Sequence, residues 1–439
     1  MGGYSDGRYC DTKGTNEKVL TSHPTAGHEQ EDMSGIDQPQ VVHTNLRSAS
    51  SVRQAIGERR ISRRATIAAA AIGMAGIGGL GFSVLGSSHA TEIHSWEDLH
   101  NVRNELGADY ILMTNLDADS PGYDDFAGPG ADGGAGWEPI RTFTGNFDGD
   151  GYTIGDLVID RGQNDVGLFG ETSSTSTITD LILSDPDVTG GRDVGAIVGA
   201  HNGTVTDSFV LGGSVTSATT STDGHIGGFV GVLYAGEILR SGTSATVFAE
   251  DAGEVGGFGG DMAGSAGVEQ GYALGDVTAD TRVGGLFGDA NGGSDIINCY
   301  ATGAVTGDSA VGGLLGREDS GEVDIVDSYW DEGTTGQSDG IGDPYSGDKG
   351  TPLSTDEMTG EDAAVNMIGF DFDDTWHLVV DGQGINPIPR ADGYPVLQGV
   401  DVGTQLDAQG VEWDNPSILR IDSGGDVTIS NVTVDGGDE

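Results

Sequence analysis

The sequence predicts an all-β fold in which about seven coils of short strands stack along one axis. A Gly-framed motif of the type Val-Gly-Gly-Leu-Phe-Gly occurs six times in the middle of the chain, and successive copies start 28 to 32 residues apart. A fixed period in this range indicates a repeat architecture. A unit this short cannot bury an apolar face alone, so each must stack on its neighbours. The motifs start at Val166, Val194, Ile226, Val255, Val283 and Val311.

Apolar residues at equal offsets from the motifs form columns. One column is always Val or Ile, and four residues later comes a mostly aromatic column. A third column consists of Val followed by Thr in most units. These patterns predict three short parallel strands per coil, with Gly at the corners and a bend at the Gly pair of the motif. The three columns are Val205, Ile238, Val268, Ile296 and Ile325; Phe209, Gly242, Tyr272, Tyr300 and Tyr329; and Val188, Val215, Val277 and Val305.

The motif VGGLFG, followed by strands such as IINCYATGAVTG, resembles the GLUG repeat of secreted and surface proteins. The preceding WEPIRTFTGNFDGDGYTIGDLVI and the later SYWDEGTTGQS and DFDDTWHLVVDG…YPVLQ resemble segments of the same group. The resemblance covers about residues 92–400. It implies a right-handed parallel β-helix, usually part of adhesin-like or envelope proteins. It carries over no catalytic residues, because the family has no agreed catalytic set.

The chain divides into further segments on either side of the repeats. Residues 91–140 are predicted to form a helix-and-strand cap. Its helix lies within His94 to Leu106, and Ser95 is placed to cap the N-terminus of that helix. Residues 141–345 form the β-helix, and residues 346–400 a second cap with helical turns over Ser354 to Ile368. Residues 401–439 have the pattern of a terminal β segment. Each cap would cover an end of the stack, where bare strand edges invite association.

The first 90 residues have the pattern of an export leader. Residues 1–58 are polar and without apolar periodicity, which predicts disorder, and Met33 is an alternative start. Residues 59–90 resemble a twin-arginine signal peptide, with Arg63 and Arg64 before a mild apolar run and cleavage after Ala90. An uncleaved membrane anchor is the alternative, since the run is about long enough to span a bilayer.

The charge of the chain is strongly one-sided. It has 70 Asp and Glu against 19 Lys and Arg, a formal net charge of −51. Such a chain repels itself at low ionic strength, and molar salt screens that repulsion. The composition therefore predicts a protein of a salt-loving microbe, such as a halophilic archaeon. It argues against a nucleic-acid partner, because no basic stripe is present. Cys299, inside a repeat, is expected to be a small buried residue.

Several residues are candidates for binding. Asp223 and His225 lie in the longest loop between motifs, and Arg192 and Arg282 could share one face of the rod. For all four, a solvent-exposed side chain is the simpler interpretation. Asn146, Asp148 and Asp150 have the spacing of a calcium loop, but Leu157 replaces the required Glu, which favours a turn. Asn202 and Asn431 lie in N-glycosylation sequons.

Together these observations favour a secreted or cell-envelope protein that presents a surface, in an adhesin-like or matrix-like role, rather than an enzyme. The expected partners are cell-surface or extracellular glycans or proteins, and membrane only if the leader stays uncleaved. No cofactor is expected beyond divalent cations bridging outer carboxylates weakly. Two alternatives stay open: a polysaccharide lyase or glycoside hydrolase on the same scaffold, because fold alone does not decide function, and a self-associating envelope component.

Overall fold

A computed structural model describes residues 90–218 and 223–382, together with 388–389, 392–398, 405–406, 409, 411 and 413–414. The predictions for residues 1–58, for the leader with Arg63 and Arg64, for Asn431 and for most of the terminal β segment at residues 401–439 lie outside the described residues. Ala90 is the first residue described. Within the described part, no helix is both long enough and apolar enough to cross a membrane.

The repeat region is a parallel β-solenoid of about seven turns, as the sequence predicts. Each full coil contributes to four parallel sheets, numbered here in the order in which the chain visits them after a motif start. The sequence-based expectation of three strands per coil is therefore too low. Sheet 1 consists of Val194–Gly195, His225–Gly227, Glu254–Gly256, Thr281–Gly284 and Ser309–Gly312. Sheet 2 consists of Phe169–Glu171, Val198–His201, Val230–Leu233, Gly259–Met262, Phe287–Ala290, Leu315–Glu318 and Ile341–Asp343.

Sheet 3 is the largest, with strands that run on both sides of a corner, and sheet 4 completes the coil. Sheet 3 consists of Thr91–Ile93, Asp109–Leu112, Asn146–Asp148, Thr153–Gly155, Thr177–Thr179, Ile182–Ser184, Thr204–Thr206, Phe209–Leu211, Glu237–Thr243, Gly267–Ala273, Asp295–Ile297, Tyr300–Ala301, Asp324–Val326, Tyr329–Asp331 and Thr351–Leu353. Sheet 4 consists of Val158–Asp160, Asp187–Gly190, Ser214–Ser217, Thr246–Ala249, Val277–Ala279 and Val305–Thr306.

The register of the sheets confirms the predicted columns. The motif starts pair in one continuous row, from Val166 with Val194 to Val283 with Val311. The Val and Ile column of sheet 3 and the Val column of sheet 4 pair in the same way. Val194 and Val283 are fully buried, while Val311, near the end of the stack, is half-buried. Equal residues therefore lie above one another and build a continuous dry core.

The motif itself forms the corner between sheets 1 and 2. Its first two residues are in sheet 1, and a bend follows at the third and fourth residues before sheet 2 begins. The bend turns the fourth residue inward, and the Phe229 and Phe258 rings stack there at 4.9 Å. The last Gly of the motif is required by a close approach of two backbones: a Cβ on Gly260 would lie 2.3 Å from the backbone nitrogen of Ile226. The Gly frame therefore lets adjacent coils touch.

The corner within sheet 3 differs from the prediction of Gly at corners. One residue in each coil takes a left-handed conformation there, and none of the six is Gly. Asp and Asn tolerate this conformation better than most side chains. In four of these six coils the next residue is a buried Ser or Cys whose side chain accepts a hydrogen bond from the backbone of the preceding coil. Cys299 takes this position and accepts a hydrogen bond from the backbone of Gly271 at 3.4 Å. The six left-handed residues are Asp180, Asp207, Arg240, Gln270, Asn298 and Asp327.

Short helical turns precede and follow the repeats in the chain; those before the repeats pack into the main core, and those after them pack against the aromatic column of sheet 3 rather than on the end of the stack. An α-helix at Trp96–Asn101 continues as a 3₁₀ turn at Val102–Asn104, and the Ser95 side chain accepts a hydrogen bond from the backbone of Asp98, as expected. Further α-helices in the continuous part of the described chain are Tyr123–Phe126, Glu332–Thr335, Thr355–Met358 and Ala363–Asn366, with 3₁₀ turns at Ala131–Gly134 and Gly360–Asp362. Two antiparallel pairs join Trp376–Val379 with Gly393–Leu397 and Ile388–Pro389 with Trp413–Asp414.

Candidate functional site

Charged side chains converge on the outer side of the motif corner. One row consists of the residues directly before the motifs in sheet 1, and the other of the residues directly after them in sheet 2. Because the motif glycines bring the two backbones together, the rows lie close and are largely shielded from solvent. We call the central group the corner cluster. It consists of Asp193, His225, Glu254, Asp261, Arg282, Asp289 and Arg317.

His225 is the centre of this cluster. Its Nδ1 lies 2.5 Å from Oδ1 of Asp193, and its Nε2 lies 3.1 Å from Oε2 of Glu254. The residue is 9% exposed, so the expected exposed loop histidine is not what the structure shows. Burial alone would lower the pKa of His225, but the hydrogen bonds to Asp193 and Glu254 outweigh burial and raise it to about 10. At neutral pH the ring is therefore a cation that donates from both nitrogens.

Two arginines complete the ion pairs. Arg282 binds Oε1 of Glu254, and its Nη1 lies 3.8 Å from Oδ2 of Asp289. Arg317 donates from Nε to Oδ2 of Asp289 at 2.7 Å and lies 3.9 Å from Glu254. Burial acts to raise the pKa of Glu254, yet the contacts with His225 and the arginines lower it overall. Glu254 is therefore held as a carboxylate between three cations.

The sheet 2 carboxylates are less well compensated. Asp261 and Asp289 are direct neighbours in the register of sheet 2. The Oδ1 atom of each is buried and receives no hydrogen bond from the described part of the chain. Burial and the nearby Glu254 charge raise the pKa of Asp261 to about 6, and burial raises that of Asp289 to about 7 despite Arg317. These two aspartates thus each keep one buried carboxylate oxygen that no cation or hydrogen-bond donor of the described residues contacts.

The structure links the two predicted arginines through His225. Arg192 lies at one end, with Nε 3.7 Å from Oδ1 of Asp193, and Arg282 at the other, on Glu254. The row Asp193–His225–Glu254 connects them, so both do lie on one side of the rod. Asp223 is exposed and stands two residues before the cluster. Glu254, Asp261 and Asp289 were not predicted from the sequence, although each directly adjoins a motif.

The other predicted positions lie elsewhere. Asn146 uses its side chain between coils, donating to Asp109 at 2.6 Å and accepting from Thr177. Asp148 accepts a hydrogen bond from the backbone of Asp150 at 2.9 Å, which fits the turn interpretation. The amide nitrogen of Asn202, where a glycan would be joined, donates to the carbonyl of Thr172 at 3.2 Å.

A metal-capable group lies inside the corner cluster. Within the part of the chain that the structure describes, His225, Glu254 and Asp261 place three ligand atoms within 4.8 Å of one another. Imidazole with two carboxylates is a donor set of divalent first-row metals. This group does not include Asn146, Asp148 or Asp150, whose spacing in the sequence resembles a calcium loop.

The chain is similar to parts of two known proteins. The chain is 39% identical over 321 residues, 71% of its length, to Halomucin of the halophilic archaeon Haloquadratum walsbyi. It is 36% identical over 110 residues, 24% of its length, to a putative Gly-rich membrane protein of Evansella cellulosilytica. The chain spans only 3% and 12% of these two relatives.

No protein-family model matches the chain, so the resemblance to GLUG repeats stays a prediction. Among solved structures, an IgA1 protease aligns over 54% of this chain and 21% of its own, with a TM-score of 0.34 and 18% identity. The similarity to Halomucin agrees with the salt-loving origin that the acidic composition predicts.

Proposed function

We propose that the protein is a secreted or cell-envelope β-solenoid that presents a rigid, acidic surface in high salt, in an adhesin-like or matrix-like role. The observation that carries this proposal is the unbroken register of about seven coils, which holds side chains in straight outward rows. In sheet 4 the outward row has Thr at four of five successive positions: Thr189, Thr216, Phe248, Thr278 and Thr306. Such rows suit broad, repeated contacts with a hydrated polymer.

The similarity to a small part of Halomucin supports a modular surface role. The chain matches only 3% of Halomucin, which supports a role as one rigid unit that acts through its stiffness and surface. Export by the leader that resembles a twin-arginine signal is part of the same proposal. The acidic outer surface would be kept soluble by molar salt, which screens its charges.

The chemistry of His225 disfavours the enzyme alternative. A general base needs a free lone pair within reach of its substrate. Both nitrogens of His225 are occupied by Asp193 and Glu254, and its pKa of about 10 keeps the ring protonated. Lys349 is also committed, since its Nζ binds Glu318 at 2.5 Å and the carbonyl of Val323 at 2.7 Å. Neither side chain is placed to abstract a proton.

The test is a binding and turnover screen of the full chain in molar NaCl. Envelope polysaccharides and whole haloarchaeal cells serve as targets, and released sugar is measured alongside binding. We expect saturable binding without released sugar. Sugar release that disappears in His225→Ala but persists in His94→Ala, a change at an exposed histidine, would establish the enzyme instead. Concentration-dependent sedimentation without any target binding would favour the self-associating component.

A further inference from the structure

We infer that the corner cluster binds one divalent first-row transition ion, of the zinc or manganese class, through His225 Nε2 and carboxylate oxygens of Glu254 and Asp261. The three ligand atoms lie within 4.8 Å of one another, and Nε2 is 3.1 Å from Oε2 of Glu254. Ligands about 2.0–2.2 Å from one ion lie roughly 3–4 Å apart. The three side chains therefore need only small rotations to share an ion.

Unpartnered oxygens point to the same ligand independently. Asp289 is 2% exposed, and its Oδ1 is buried without a hydrogen bond from the described residues. The Oδ1 of Asp261, one of the three ligands, has the same status. Buried carboxylate oxygens without donors cost free energy. A cation between Asp261 and Glu254 would bind the Asp261 carboxylate directly and would stabilise the negative charge of the nearby Asp289 carboxylate.

The residues around the three ligands are arranged as an outer shell. Metal-binding histidines usually donate their second ring nitrogen to a carboxylate, which fixes the ring. Asp193 takes this role, since it accepts from Nδ1 of His225 at 2.5 Å. Arg282 holds Oε1 of Glu254, which leaves Oε2 directed at His225 Nε2. Two of the three ligands are thus oriented by other side chains of the chain itself.

Charge balance favours an ion over a proton at this position. The four carboxylates of Asp193, Glu254, Asp261 and Asp289 face the imidazole and the guanidinium groups of Arg192, Arg282 and Arg317, but within the described residues none of these cations forms an ion pair with Asp261. Binding releases the Nε2 proton and replaces one positive charge with two. The ion therefore supplies the charge that the neighbouring aspartates lack.

The imidazole ligand decides the class of ion. Calcium and magnesium prefer sets of oxygen ligands, whereas imidazole suits first-row transition metals. This site is distinct from the weak bridging of outer carboxylates expected from the sequence, because it has one position and one nitrogen ligand. The chain also offers a matched control. His94 Nε2 lies 3.1 Å from Oε2 of Glu92, the same atoms at the same distance, but on an exposed pair.

The experiment titrates the metal-free full chain with Co²⁺ in molar KCl and excess Mg²⁺, and follows visible absorption and calorimetry. Excess Mg²⁺ occupies the many surface carboxylates. We expect one Co²⁺ per chain, displaced by Zn²⁺, with loss of the absorption band in His225→Gln and in Asp261→Asn. Asp193→Asn should weaken binding about 10–100-fold, and His94→Gln should bind as the wild type does.

Circular dichroism of each metal-free variant checks that it is folded. If His225→Gln does not fold, Asp261→Asn alone is the test. We expect this variant to fold, because Oδ1 of Asp261 accepts no hydrogen bond from the described residues that the change would remove. The inference is wrong if the wild type takes up no Co²⁺ in excess Mg²⁺. It is equally wrong if a folded His225→Gln or Asp261→Asn variant binds Co²⁺ with unchanged affinity and spectrum. Surface binding and metal binding are measured separately, so either proposal can fail without the other.

Discussion

Two outer faces of the solenoid use the same register in opposite ways. On sheet 3 the aromatic column stacks like on like, with the Tyr272 and Tyr300 rings 5.5 Å apart, and segments from the C-terminal part cover it. Trp376 packs on this column, and the Tyr300 hydroxyl donates to the carbonyl of Pro395 at 2.9 Å. At the motif corner, Asp193, His225, Glu254 and Arg282 follow one another with alternating charge.

The difference shows what in-register stacking requires of each kind of side chain. Identical aromatic rings attract when offset, so the same residue type can recur coil after coil. Identical charges repel at the spacing of one coil, so a buried charged row is most stable when its charges alternate in sign. The row of Asp261, Asp289 and Arg317 breaks that rule, because two aspartates are neighbours. The ion proposed above would bind beside these two aspartates, at Asp261.

Gly260→Ala should break the corner and give the largest effect. The added Cβ would lie 2.3–2.6 Å from backbone atoms of Ile226 and His225, which cannot move without separating the coils. We expect a loss of about 4 kcal/mol or more in the free energy of unfolding, or no folding. The measurement is urea unfolding in molar salt. Gly162→Ala is the control, because nothing lies within 4 Å of its Cβ; similar losses in both would contradict the close approach.

Trp376→Ala tests the aromatic face. The side chain is fully buried and stacks on Phe370 at 4.7 Å. Its removal should cost about 3–5 kcal/mol. Because this face is apolar, the loss should be the same at pH 5 and at pH 8 in urea unfolding. A loss below about 1 kcal/mol would mean that the C-terminal segments do not cover the column.

Arg317→Gln tests the charged corner and should depend on pH. At pH 8 it leaves the Asp289 carboxylate buried without its main partner, which should cost about 2–3 kcal/mol. The pKa of Asp289 is about 7, so at pH 5 the carboxyl is protonated in both proteins and Arg317 has little charge to pair with. The loss should therefore shrink at pH 5. An equal loss at both pH values, measured in metal-free buffer, would mean that Asp289 is not the carboxylate that Arg317 stabilises.

His201→Leu contrasts a buried neutral histidine with the charged His225. His201 is fully buried beside Thr172, and burial lowers its pKa to about 4. Between about pH 6.5 and 4 the unfolded chain binds a proton that the folded chain does not, so the wild type loses stability as pH falls. We expect about 2 kcal/mol of this loss to be absent in His201→Leu. Parallel stability curves for the two proteins across this range would refute it.

Cys299→Ser should have the smallest effect. The position continues a column in which Ser208, Ser241 and Ser328 hold the same place, so a serine fits the existing hydrogen bonds. We expect a change within about 0.5 kcal/mol. Burial raises the pKa of the Cys299 thiol to about 12, so it should also resist alkylation in the native state. Rapid alkylation of the native protein would show that the reagent reaches Cys299 and that this column is not buried.

The sequence predicts the coils well because residues of one type recur at fixed offsets. The motif row and the aromatic column could be identified for that reason. The corner in sheet 3 was missed because Asp207 and Asn298, not Gly, take the left-handed conformation. His225 was misjudged because the residues directly before the motifs are mostly of different types, so they form no recognisable column. Its position directly before Ile226 was the available signal.

The distance between two distant residues of sheet 4 tests the stacked register most directly. Thr189 and Thr306 are 117 residues apart in sequence but only four rungs apart in the structure. Spin labels at Thr189→Cys and Thr306→Cys, in a Cys10→Ser and Cys299→Ser background, report this distance by pulsed electron resonance in molar salt. Stacking at about 4.8 Å per rung predicts a narrow distribution near 19 Å. A broad distribution centred beyond about 40 Å would contradict the solenoid.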